Sequence, residues 1–277
     1  MRLLSSTYRR GLKSRRPGND LQWEIITDLA PRFGDYIEDN TGLAEESAKT
    51  THEGNLIIKH PAVPYVAPFA AFMAFIALAH WLPVSPRFLY PLRVVVVGMV
   101  VVVCSRHLIS FRARNWAGSI LMGIAVFVLW ITPDVFWPAY RDHWLFDNFL
   151  LGSARSSVPQ EAKESLVFVA FRVFGSVALV PIVEELFWRG WLMRWLIRPD
   201  FEAVHLGTYT PYSFWLTAAL FSAEHGSYWD VGLLAGILYN WWMVRTHRLA
   251  DCTVAHAVTN GLLATYVLAG DQWQYWL

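Results

Sequence analysis

In a chain of 277 residues, 55% are hydrophobic and only 16% are charged, which is more apolar than a soluble domain of that size. The excess is gathered into runs of membrane-spanning length, so an all-α, polytopic transmembrane bundle is expected, with about seven or eight spans. The net charge of +1 leaves no broad positive footprint, which excludes nucleic acid as a partner. The two cysteines, Cys104 and Cys252, fall in or beside apolar runs and read as packing residues rather than a disulfide or metal cluster.

Residues 1–16 hold six Arg or Lys and no acid. The apolar core of a secretory signal is missing there, because Tyr8, Arg9 and Arg10 interrupt it; an organellar presequence and a cytoplasmic basic tail both remain open. From Asn19 to His60 the composition turns polar and acidic, with at most an amphipathic helix over 21–29. Residues 1–60 therefore read as a polar, flexible extension, and 61–277 as the membrane domain.

The first span, 62–82, begins with Pro64 and Pro68 in its first turns, where missing amide donors do least harm. The second, 88–104, is valine-rich, and Arg93 near its start can snorkel to the interface. A link containing Arg106, Arg112 and Arg114 leads to the third span, 116–131. In the loop 132–163, the part 144–151 suits the membrane interface, and an eighth crossing near 140–155 is the rival reading. The fourth element, 165–197, exceeds the length needed to cross, so it is tilted, kinked at Pro181, or projects from the bilayer.

Three further spans follow at 212–226, 229–245 and 251–269. Gly232 and Gly236 form a small-xxx-small pair suited to close helix contact. Arg245, His247 and Arg248 mark a third basic link. With seven crossings, the basic links after spans two, four and six share a side with the basic N-terminus, which the positive-inside rule makes cytoplasmic.

The fourth element carries V-E-E-L-F-W-R-G. Carboxylates at bilayer depth cost several kcal/mol, roughly 2 to 4, so two adjacent ones call for a function. On a helix Glu185 and Arg189 share a face and pair, while Glu184 is rotated about 100° away and left free to act as a base. The competing reading is a buried network with Arg189 and Arg172 that only ties helices together.

Span five ends in L-F-S-A-E-H-G, with His225 at or within the membrane face. Span seven opens with D-C-T-V-A-H-A-V-T-N-G, which puts His256 and Asn260 one turn apart. Glu184, His225, His256 and Asn260 are polar residues on apolar helices and should turn inward. Such a set can hold a water, take its proton and stabilise an oxyanion. Equally, Glu184, His225 and His256 could ligate a divalent metal such as zinc. No H-E-x-x-H is present to decide between the two, and a glutamate acting on water directly is slightly preferred. Without a G-x-S-x-G elbow, Ser222 and Ser227 beside His225 do not make a serine hydrolase.

These residues resemble the CPBP intramembrane proteases, which include the type II CAAX prenyl endopeptidases and abortive-infection relatives. The family motifs E-E-x-x-x-R, F-x-x-x-H and H-x-x-x-N read here as E-E-L-F-W-R at 184–189, F-S-A-E-H at 221–225 and H-A-V-T-N at 256–260. Y-V-A-P-F at 65–69 is similar to the start of the bacterial CAAX protease-related subgroup linked to exosortase systems. The resemblance implies that Glu184 and His225 activate water, and that His256 and Asn260 form the oxyanion site. Glu185 and Arg189 would then support the site, with Phe221 packed beside it. It also implies an endopeptidase of the bacterial inner membrane, cutting near the C-terminus of a membrane-tethered or lipidated protein, prenylated C-a-a-X tails included. A non-catalytic membrane partner or chaperone that keeps the fold is the alternative.

Overall fold

The computed structural model describes residues 60–276 apart from His80, Phe111, Leu150 and Ser157. The basic N-terminus and the amphipathic segment over 21–29 lie outside them. The described chain is a bundle of long helices. α1 (Val63–Ala79) is followed by α2 (Pro86–Val100), which a π-type turn extends over Val101–Ser105. α3 spans Trp116–Phe136, and α4 is one continuous helical rod over Leu166–Trp195. α5 (Pro211–Ala223), α6 (Trp229–Thr246) and α7 (Leu249–Gly270) complete the bundle.

Short polar side chains start most of these helices by accepting an orphan amide. Ser85 accepts from Arg87 N–H at 3.3 Å, Asn115 from Gly118 N–H at 3.2 Å, and Thr210 from Ser213 N–H at 3.2 Å. Pro86 and Pro211 occupy first turns, where no amide is needed. α6 ends on His247 in the left-handed region at φ 55°, which turns the chain sharply into α7.

Among the described residues, four stretches are long and apolar enough to cross a membrane: Pro86–Ser105, Trp116–Phe136, Leu166–Trp195 and Leu249–Gly270. α1 is apolar but shorter, at 17 residues. In place of an eighth crossing, 140–155 contains a 3-10 turn at Tyr140–Asp142 and a small bridge between Asn148 and Gly152. α4 carries two π-type turns, Gly175–Leu179 and Leu186–Leu192, on either side of the α-helical stretch Val180–Glu185. Pro181 sits just after the first of these, where its missing amide does little harm.

The three basic links gather at one end of the bundle. Buried Asp251, at the start of α7, accepts the Arg114 and Asn115 amides of the α2–α3 link at 2.8 and 3.2 Å. The His247 Nδ1–H donates to the Leu206 carbonyl of the α4–α5 link at 2.8 Å. Ser105 joins the start of α1 to the same end by donating to the Pro64 carbonyl at 2.5 Å.

At the opposite end, Arg141 ties Asp134 of α3 to Asp230 of α6, at 3.0 and 2.5 Å. The Tyr140 hydroxyl also donates to Asp230, at 3.0 Å. Burial and that bond raise its pKa above the ordinary tyrosine value.

The Gly232 and Gly236 pair does bring helices close. A Cβ at Gly236 would lie 3.1 Å from Ala218 Cα of α5, and one at Gly232 would lie 3.2 Å from His225 Cβ. Cys252 is fully buried, with its sulfur against Tyr239 and Met243, which makes it a packing residue.

Candidate active site

Counted at 1.5 Å per residue, His256 lies about 10 Å inside the basic end along α7, and Glu184 about 16 Å inside it along α4. The polar residues singled out on α4 and α7 therefore lie at mid-bundle depth, and His225 sits in the turn just beyond the end of α5. Glu184 and His256 are each 5% exposed, and Glu185 and Arg189 are 0% exposed.

The Glu185–Arg189 pair forms as helical spacing requires, with Nη1 to Oε1 at 3.1 Å. The rest of the guanidinium is committed across the bundle. Its Nε donates to Asn240 Oδ1 at 3.0 Å and its Nη2 to the Gly236 carbonyl at 3.4 Å, while the plane lies 4.6 Å over the Phe221 ring. Asn240 is itself held by donating Nδ2–H to the Phe214 carbonyl at 2.8 Å. Phe221 thus packs against the arginine and also touches both histidine rings, at 4.7 Å for His225 and 6.3 Å for His256.

Glu185 also orients a histidine. Its Oε1 accepts the His256 Nδ1–H at 2.9 Å, which fixes the tautomer and turns Nε2 toward Glu184 Oε2, 3.9 Å away. That separation is too long for a hydrogen bond. The Tyr239 ring stacks on the other side of His256, with centroids 5.1 Å apart and planes 23° apart. The Tyr239 hydroxyl donates to Thr259 at 2.7 Å.

Glu184 Oε2 is buried with no hydrogen-bond partner, a costly state that suits a reactive carboxyl. The Glu224 carboxyl, just before His225, lies against Glu184 and the Trp188 indole, and its own Oε2 is also buried without a partner.

Among the described residues, no acid pairs with His225. Its Nδ1–H donates to the Phe221 carbonyl at 2.7 Å, and its ring stands edge-on to Trp130 at 5.2 Å. The lone pair is therefore on Nε2. Asn260 donates Nδ2–H to the Ser176 carbonyl in the first π turn of α4, at 2.8 Å. π turns recur at functional sites because the widened turn redirects backbone and side-chain groups; here both flank the segment that carries the two glutamates.

Arg172, which the competing network reading joined to Arg189 and the acids, places its guanidinium over Tyr90 and Trp276, at 4.7 and 5.4 Å. Its aromatic partners come from α2 and the C-terminal turn, which spacing along α4 does not reveal. Among the described residues, no three His, Cys, Asp or Glu side chains come together to hold a metal ion.

Sequence reasoning missed Asn240, Tyr239 and Glu224. The rule that found His256, a polar residue on an apolar helix, applies equally to Asn240. Glu224 lay inside the quoted L-F-S-A-E-H-G. Tyr239 left no signal, since one more aromatic on a membrane helix is unremarked.

No curated protein and no solved structure matches the chain. A family model does: residues 166–262 match the type II CAAX prenyl endopeptidase Rce1-like family. The matched segment contains all three motifs and every glutamate and histidine of the site, and over it the chain is similar to the Rce1-like type II CAAX prenyl endopeptidases.

Proposed function

We propose that the site hydrolyses a peptide bond near the C-terminus of a membrane-tethered or lipidated protein, with Glu184 as the base. The observation that carries this reading is the partnerless Glu184 carboxyl oxygen, buried beside a histidine that Glu185 and Arg189 hold in place. Water loses a proton to Glu184 while His225 accepts a hydrogen bond at Nε2, and the water oxygen adds to the peptide carbonyl carbon. The resulting oxyanion takes hydrogen bonds from Asn260 and from His256 in its protonated form. Collapse breaks the C–N bond, and the proton held by Glu184 leaves with the amine.

The basic end, with its three arginine-bearing links, is the cytoplasmic side in this reading. In a bacterium the protein would then sit in the inner membrane. The direct test compares the membrane proteins of cells making the wild type with those of cells making Glu184→Gln, by C-terminal mass spectrometry. Shortened C-termini should appear with the wild type alone. If the same shortened species form with both, Glu184 is not the base and the reading falls.

A further inference from the structure

A cavity of about 290 Å³ opens at the basic end and runs inward between α4 and α7. Its apolar lining includes Ile182 and Leu186 of α4 and Leu249 at the start of α7, and its polar lining includes Arg112, His247 and Arg248. Arg112 and Arg248 are exposed, and neither is paired with an acid among the described residues. His247 is held by its bond to the Leu206 carbonyl. The cavity therefore offers unpaired cations at the mouth and hydrocarbon within.

The position of the cavity ties it to the chemistry. Leu186 directly follows Glu185 on α4, and Thr253, also on the wall, is one turn before His256 on α7. The wall of the cavity and the Glu185–His256 pair are thus carried by neighbouring residues of the same two helices. Size narrows the occupant further, since the cavity has about the volume of ten liquid waters, at the lower edge of ligand pockets. One or two apolar residues with a terminal carboxylate fit it, whereas two acyl chains of a phospholipid overfill it.

We propose that this cavity seats the last one or two residues of the substrate, and that Arg112 and Arg248 read its free C-terminal carboxylate. The proposal rests on the endopeptidase reading above and adds the residues that give it direction. Guanidinium groups bind carboxylates with charge-assisted hydrogen bonds that a neutral amide does not make. The site would thus accept a chain end and reject an internal segment of the same sequence.

The test is binding of N-acetylated valyl-leucine, as free acid and as C-terminal amide, to the full-length protein in phosphatidylcholine nanodiscs. The acid should bind at least about tenfold more tightly than the amide. The double variant Arg112→Gln/Arg248→Gln should bind both at the amide's affinity. Arg245→Gln, an exposed cation outside the cavity lining, should keep the preference and controls for general loss of positive charge.

Equal binding of acid and amide by the wild type would overturn the proposal, as would a preference that survives in the double variant. It is overturned too if, in a parallel set of nanodiscs doped with phosphatidylglycerol, the double variant's only change is weaker retention of that lipid, which would make a lipid phosphate the occupant. Binding needs no turnover, so these outcomes are separate from the cleavage test. A Glu184→Gln protein that still cleaves sinks the hydrolase reading, and equal binding sinks only this one.

Discussion

Arg141 and Arg189 are both buried, at 7% and 0% exposure, and each stands among acids from the bundle. Arg141 lies at the end away from the basic links and bonds both of its aspartates, Asp134 at 3.0 Å and Asp230 at 2.5 Å. It adds the Ser227 carbonyl at 2.8 Å and lies over the rings of Tyr140, Phe146 and Tyr228. Arg189 bonds only Glu185; its other donors go to Asn240 and to a backbone carbonyl. Glu184 Oε2 is left without a hydrogen-bond partner, 3.9 Å from His256 Nε2, and the Glu224 carboxyl lies against the same side chain. In the first cluster the guanidinium serves every acid it meets, so the cluster joins α3 to α6. In the second an acid is deliberately left over, and an unbalanced buried carboxyl is where chemistry is to be sought.

Substituting each arginine tests that contrast with the largest expected effect. Arg189→Gln and Arg141→Gln both strand buried acids, and each should cost about 3–5 kcal/mol of stability, read by thermal unfolding in detergent. Activity per folded molecule should separate them. It should collapse in Arg189→Gln, because Glu185 then no longer has its partner when it orients His256, and it should persist in Arg141→Gln. Equal activity loss in the two would erase the distinction.

Glu184→Gln should act on rate alone. A drop of about a thousandfold in kcat/KM is expected for loss of a general base, with unfolding temperature unchanged or raised, since a buried unpaired carboxyl has been removed. A marked fall in stability would instead assign Glu184 a structural role like that of Asp134. Asn260→Ala should follow at about a hundredfold, appearing in kcat rather than KM, as for loss of one oxyanion donor. An effect confined to KM would limit Asn260 to its bond with the Ser176 carbonyl.

What the sequence made legible divides along the same line. The ends of the helices could be read closely, because apolar runs, Ser, Asn and Thr caps and arginine-bearing links are local signals. The Glu185–Arg189 pair was also local, set by four-residue spacing on one helix. The second partner of Glu185 was not, because which histidine ring meets it depends on how α4 and α7 rotate against each other. Spacing along α4 likewise could not say which arginine faces the acids, and Arg172 went to Tyr90 and Trp276. The two π turns had no signature, since a widened turn reflects what packs against it. In 140–155, aromatic residues resembled a span until Arg141 and the Asn148–Gly152 bridge were seen to fold the segment up.

Tyr239 gives the smallest and most discriminating test, because its hydroxyl and its ring do different things. The hydroxyl donates to Thr259 at 2.7 Å, but Thr259 can itself donate to the Gly123 carbonyl at 2.9 Å and so stays satisfied without it. Tyr239→Phe should therefore cost only about 1 kcal/mol and lower activity less than tenfold. The ring stacks flat on His256 and leaves the imidazole little room to pivot about its bond to Glu185. Tyr239→Leu removes that wall and should lose activity well beyond the Phe variant, with kcat falling more than KM. If Phe and Leu lose activity equally, the hydroxyl rather than the ring is what the site needs, and His256 is held by Glu185 alone.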